Sequence, residues 1–65
     1  MTESQRLAYG LVEEAHVGLA RAKYALGREA HEAAYHEVQA AWLKLAEASN
    51  ILLVLTLKEG DEEQS

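Results

Sequence analysis

The sequence predicts an all-α protein, a long antiparallel helical hairpin that forms a four-helix bundle by dimerisation. The chain has 65 residues without proline, and twelve alanines and ten leucines supply helix-favouring side chains. Apolar residues recur every three to four positions, which is helical spacing. With no cysteine, neither a disulfide nor a thiolate metal site can stabilise so small a core, so we expect a partner chain to do so.

The first helix is predicted over about residues 3–26. Thr2 and Gln5 have the spacing of a capping box, in which each side chain bonds the other residue's backbone amide. The expected end combines cations in the last turn, Arg21 and Lys23, with Gly27 just beyond it.

The second helix is predicted over about residues 29–58, with Gly60 as its terminator. The apolar pattern keeps its helical phase to residue 56. An alternative interpretation makes residues 51–57 a short strand, but four of those seven residues are leucine, which favours helix. Residues 1–58 would then form the helical hairpin domain, and residues 59–65 an acidic flexible tail.

Alanines at every seventh position predict how the two helices pack. Small residues at this spacing let helices approach closely, and a fold-back near Arg28 pairs residues whose numbers sum to 56. The predicted hairpin seam consists of Ala8, Ala15, Ala22, Ala34, Ala41 and Ala48.

A second apolar seam on the second helix has no partner within one hairpin. We expect a second copy of the chain to cover it, since exposed large apolar groups forfeit about 1.5–3 kcal/mol each. The predicted oligomer interface consists of Tyr35, Val38, Trp42, Leu45, Leu52, Leu53 and Leu55.

No residue pattern indicates an enzyme, a cofactor or a metal. Glu13 and His16 have the Glu-x-x-His spacing of di-iron bundles, but Glu13 lies opposite the alanine seam, so we expect no metal. There is no cysteine nucleophile and no glycine-rich phosphate loop. We therefore expect a non-enzymatic protein–protein interaction or regulatory module.

The alternative function is a nucleic-acid-binding regulator. Arg21, Lys23 and Arg28 occur without an acidic residue between positions 17 and 28. However, residues 1–58 carry six basic against seven acidic side chains, and the last seven residues add four more acids. Long-range attraction to phosphate is missing, so nucleic acid is not the expected partner.

The expected partner is a second copy of the chain, with another protein as the further possibility. No apolar segment follows a basic start, so no signal peptide is predicted. The longest uncharged apolar stretch, residues 48–57, is short against the roughly 20 residues that cross a bilayer. These features predict a cytoplasmic protein without membrane contact.

Overall fold

Two helices packed antiparallel make up the hairpin. The computed structural model describes residues 1–64, with side-chain surroundings through Glu59. Helix α1 spans Glu3–Gly27 and helix α2 spans His31–Gln64. The molecule is a rod of 54 × 16 × 13 Å. The predicted all-α hairpin is confirmed, and residues 51–57 are helical, which decides against the strand.

Helix α1 begins with the predicted capping box. The Gln5 amide donates to the Thr2 hydroxyl at 3.2 Å, and the Thr2 amide donates to the Gln5 side-chain oxygen at 2.7 Å. The backbone amides of Thr2 and Gln5, at the start of α1, are thereby satisfied by side chains rather than by water alone.

The end of α1 differs from the prediction. Gly27 is its last helical residue, and the left-handed residue is Glu29, with φ of 61°. The Ala30 amide donates to the Ala25 carbonyl at 2.8 Å, and the Glu29 amide donates to the Leu26 carbonyl at 3.0 Å. These two bonds form a Schellman motif with Glu29 at the position that glycine usually takes.

The predicted basic last turn is also wrong. Because α1 continues to Gly27, its last turn contains no basic residue, and Arg21 and Lys23 lie further back along the helix. The third cation, Arg28, caps the helix instead. The second helix begins at His31, two residues later than predicted, since residues 28–30 are used by the turn.

Helix α2 continues past its predicted end. Its backbone remains helical through Gly60 to Gln64, so Gly60 does not terminate it. One glycine inside a helix costs only about 1 kcal/mol, and no proline follows to enforce a stop. The proposed tail, residues 59–65, therefore begins within α2, while its side chains beyond Glu59 and the whole of Ser65 lie outside the described residues.

Candidate functional site

The contact between the helices is made of small residues. The six seam alanines are each at most 3% exposed, and Ala25 and Gly18 are buried beside them. A methyl group built on Gly18 would lie 3.7 Å from the Ala41 methyl, which shows how closely the two backbones approach. Among the described residues, no large side chain is fully buried. A single hairpin therefore has close helix packing but little apolar volume inside.

Many of the exposed large apolar residues lie together along one side of the hairpin. In both helices, bulky apolar residues stand four positions after each seam alanine: Val12, Leu19 and Leu26 in α1, and Val38, Leu45 and Leu52 in α2. Equal offsets in antiparallel helices place these residues on the same side of the pair. Tyr9, Val12 and Leu52 accordingly line one groove.

Aromatic residues widen this surface. Tyr9, Tyr35 and Trp42 stand one position after a seam alanine, on the outer edge of the same side. We call the nine residues the apolar face, and every one of them is exposed. Its members are Tyr9, Val12, Leu19, Leu26, Tyr35, Val38, Trp42, Leu45 and Leu52.

The opposite side of the hairpin is polar along its middle. The residues three positions after the seam alanines include Glu37 and Lys44 in α2 and Gly18 in α1. Lys44 pairs with Glu14 of α1 at 3.2 Å, which joins the two helices across this side. We call Glu14, Glu37 and Lys44, together with Arg21, the polar face. The hairpin is therefore amphipathic as a unit.

The predicted interface residues do not all lie on the apolar face. Tyr35, Val38, Trp42, Leu45 and Leu52 belong to it, and Leu53 lies exposed at its border. Leu55 instead continues the alanine seam, seven positions after Ala48. It is half-buried and lines a pocket with Thr2 and Gln5 at the start of α1, so we exclude it from the face.

Residues of α1 supply four of the nine members of the apolar face, and the predicted interface contained none of them. The signal was present in the sequence as a second seven-residue repeat, Val12, Leu19 and Leu26, in step with the alanines. Within α1 alone, this repeat does not show that it continues the surface of α2.

The surface area of the hairpin measures how much is left uncovered. The chain exposes 5394 Å², whereas a folded monomer of 7.2 kDa exposes about 4,100 Å². The excess is about 1,300 Å² per chain, or about 2,600 Å² for two chains, which lies within the range of obligate homodimer interfaces. Part of the excess belongs to the length of α2 beyond α1, and the rest to exposed faces of the pair.

The three cations of the alternative function are spread around the turn end of α1. Arg28 lies over the Tyr24 ring at 5.6 Å and donates from Nη1 to the Tyr24 hydroxyl at 3.3 Å. Lys23 stands one position after a seam alanine, on the side of the apolar face, whereas Arg21 lies towards the polar face. The turn brings Arg28 and Tyr24 together but does not gather all three cations on one surface.

Among the residues that the structure describes, Glu and His side chains come together in pairs, and Glu13 and His16 line one groove. His36 Nε2 lies 3.7 Å from a carboxylate oxygen of Glu32, one turn earlier, and both side chains are largely exposed. Within the described part of the chain, no three His, Asp or Glu side chains converge as a metal site would require.

Helix α2 also passes a length-and-composition test for a membrane span. An 18-residue window within His31–Glu59 reaches a mean hydropathy of 1.4, and 11% of that window is buried. The core helix of a soluble bundle meets the same test, and Lys44 and Glu47 interrupt the apolar sequence. The uncharged stretch, residues 48–57, is shorter than this window because Glu47 and Lys58 bound it.

Comparison of the chain with known protein families finds no matching model, and comparisons with curated proteins and with solved structures find no match either.

Proposed function

We propose that the chain is a small non-enzymatic module that acts through protein–protein contacts, and that its working form is a homodimeric four-helix bundle. The observation that supports this proposal is the apolar face, with nine exposed large residues on one side of a hairpin whose interior holds mainly alanine. Each such side chain gains about 1.5–3 kcal/mol when covered.

A second copy of the chain is the occupant that the surface area favours. The excess of about 2,600 Å² for two chains, part of which belongs to the projecting end of α2, is of the size that a stable homodimer buries. A two-fold dimer also places the apolar face of one copy against the apolar face of the other, so no second kind of surface is required. Two-fold dimers are the commonest oligomers. The polar faces, each with its Glu14–Lys44 pair, would then remain in water.

Sedimentation equilibrium at micromolar concentration tests the proposal. We expect a species of about twice the 7.2 kDa chain mass, with a melting temperature that rises with protein concentration, because association stabilises the folded state by mass action. A fully helical 7.2 kDa monomer would contradict the proposal.

Trp42 provides a second readout from the interface itself. It is the only tryptophan of the chain, and its side chain is exposed in the isolated hairpin. Covering the indole should shift its emission to shorter wavelength, and dilution should reverse the shift together with the loss of mass. An emission that stays at the solvent-exposed wavelength in a dimer would place the interface elsewhere.

Nucleic acid and lipid are the alternative occupants that binding experiments distinguish. We expect duplex and single-stranded nucleic acid to bind no tighter than about 10⁻⁴ to 10⁻⁶ M at physiological salt, the nonspecific range. Nanomolar binding that is abolished by R21E and K23E together would favour the nucleic-acid regulator instead. Co-flotation with uncharged phosphatidylcholine vesicles would favour a membrane role for α2.

A further inference from the structure

The side of the hairpin that carries the apolar face has almost no charge of its own. In α2, the positions one and four after each seam alanine hold no Asp, Glu, Lys or Arg. The same positions of α1 hold one charged residue, Lys23, and one histidine, His16. None of these positions holds a carboxylate, so a new positive charge on this side would lack a partner of opposite sign there.

His16 lies at the middle of this side. It follows Ala15, the central residue of α1, and stands on the outer edge in line with Tyr9. Its side chain is exposed in the single hairpin and lines a groove with Tyr9, Val12 and Glu13. A second copy that covers the apolar face from end to end covers its middle, whichever way that copy points. His16 therefore lies beside the partner in either case.

We propose that protonation of His16 weakens association through the apolar face, so that the dimer separates as pH falls. This inference rests on the proposed homodimer. Histidine passes from neutral to charged between about pH 8 and pH 5. A partner's apolar residues cover a neutral imidazole more easily than an imidazolium, which would lose water without gaining a counter-ion. The dimer then binds fewer protons than two separate chains, and acid favours the separate chains.

Two charged groups of α1 lie near His16, and they act in opposite directions. Glu13, one turn earlier, lines the same groove, but the ion pairs of the described residues do not include it. Lys23, two turns later on the same edge, adds a charge of the same sign. Glu13 stands farther round α1 from the seam and is exposed, so its attraction to a charged His16 is weak.

Helix α2 offers no counter-ion on this side. Its charged residues at the level of His16 belong to the polar face or stand next to it, one position before a seam alanine: Glu37, Lys44 and Glu47. The α2 residues on the same side of the seam as His16 are apolar: Val38, Trp42 and Leu45. A partner that presents the same apolar face supplies no carboxylate at this level either.

Acidification also changes the net charge, which acts in the opposite direction. The chain carries −5 with its three histidines neutral, so protonating all three leaves −2, and two less acidic copies repel each other less. At physiological salt the screening length is about 8 Å, so this general repulsion is weak between charges spread along a rod of 54 Å. A charge covered by the partner is screened much less, so His16 determines the sign.

Sedimentation equilibrium at about pH 7.5 and about pH 5.5, in physiological salt, tests the inference. We expect the dissociation constant of the dimer to rise on the order of tenfold at the lower pH. His16→Gln keeps a neutral polar side chain and should remove most of this rise. The matched control is His36→Gln, which should leave the rise unchanged, because His36 Nε2 lies 3.7 Å from a Glu32 carboxylate oxygen that offsets its charge.

His31→Gln provides a second comparison, since His31 stands seven positions before Val38, on the same side but at the turn end. It should reduce the rise less than His16→Gln, and a larger reduction would overturn the assignment to His16. A dissociation constant that does not change with pH, or a rise that persists in His16→Gln, would overturn the inference while leaving the dimer intact. A monomer at both pH values would instead refute the proposed function.

Discussion

The alanine seam and the apolar face run side by side along the same two helices with the same seven-residue repeat, yet they do different work. The seam is buried within one hairpin and consists of single methyl groups. The apolar face is exposed and contains the large side chains. The seam sets the distance between the two helices. Covering the apolar face would release most of the hydrophobic free energy that a single hairpin leaves unused. Adjacent positions thus encode the fold of one chain and the association that we propose for it.

The largest expected effect tests whether a residue's position on the apolar face, rather than its exposure alone, determines the cost of substituting it. Trp42 and Leu43 are neighbours on α2 with similar exposure, 65% and 69%, but only Trp42 lies on the apolar face. Trp42→Asp should yield a largely unfolded chain, because Trp42 would be buried in the proposed dimer and truncating a buried tryptophan alone costs about 3–5 kcal/mol. Leu43→Asp, a surface substitution, should stay within about 0.5 kcal/mol. Thermal unfolding followed by circular dichroism measures both, and equal losses would show that the face is misplaced.

The next effect tests the seam. Ala15 is 1% exposed, and Ala15→Leu should cost about 1–3 kcal/mol because its added volume would force the helices apart. Ala20→Leu makes the same chemical change at an exposed position of α1 and should be nearly neutral. Urea unfolding compares the two variants. Similar midpoints would mean that α1 does not face α2 through Ala15.

A smaller effect, of opposite sign, is expected at the turn that holds the seam in register. Glu29 has a left-handed backbone, which costs an ordinary L-residue about 1–2 kcal/mol and glycine almost nothing. After the extra entropy that glycine loses on folding, Glu29→Gly should stabilise the hairpin by about 0.5–1 kcal/mol. The control is Arg28→Gly, where φ is −99° and no such relief exists. A destabilised E29G variant would contradict the turn geometry.

The smallest effect belongs to the polar face. The Glu14–Lys44 pair is 3.2 Å long, but both side chains are substantially exposed. A double-mutant cycle with Glu14→Gln and Lys44→Met should give a coupling energy of about 0.2–1 kcal/mol that decreases with salt. A coupling above about 2 kcal/mol would indicate that this side is covered in the assembled protein, which would reverse the roles of the two sides.

Local sequence patterns predicted most of the hairpin. The capping box at Thr2 and Gln5 and the packed alanines depend on short-range spacing, which the sequence displays directly. The end of α1 was predicted one residue too early and the start of α2 two residues too early, because Gly27 was expected to stop the first helix. The Schellman bonds from Glu29 and Ala30 determine where α1 ends. The end of α2 was misjudged because the penalty of one glycine was overvalued.

Only the part of the apolar face that lies on α2 was predicted from the sequence, and the reason differs from the one that applies to the turn. Helical phase within α2 identified Trp42 and its neighbours, since one helix with two apolar seams needs two partners. Joining them to Val12 and Leu19 requires knowing which sides of two antiparallel helices coincide, which is a property of the pair. Leu55 is different, because its position seven residues after Ala48 already places it on the seam, beside the first turn of α1.

The left-handed backbone at Glu29 has a consequence for topology. Residues 28–30 are all that separates α1 from α2. Returning them to helical geometry would fuse the chain into one helix of about 62 residues, roughly 93 Å long. Two such straightened chains could then pair each α1 with the other chain's α2, which is a domain swap with the same alanine contacts. The backbone of these three residues, with Glu29 as the left-handed position, therefore separates a closed hairpin from an interlocked pair.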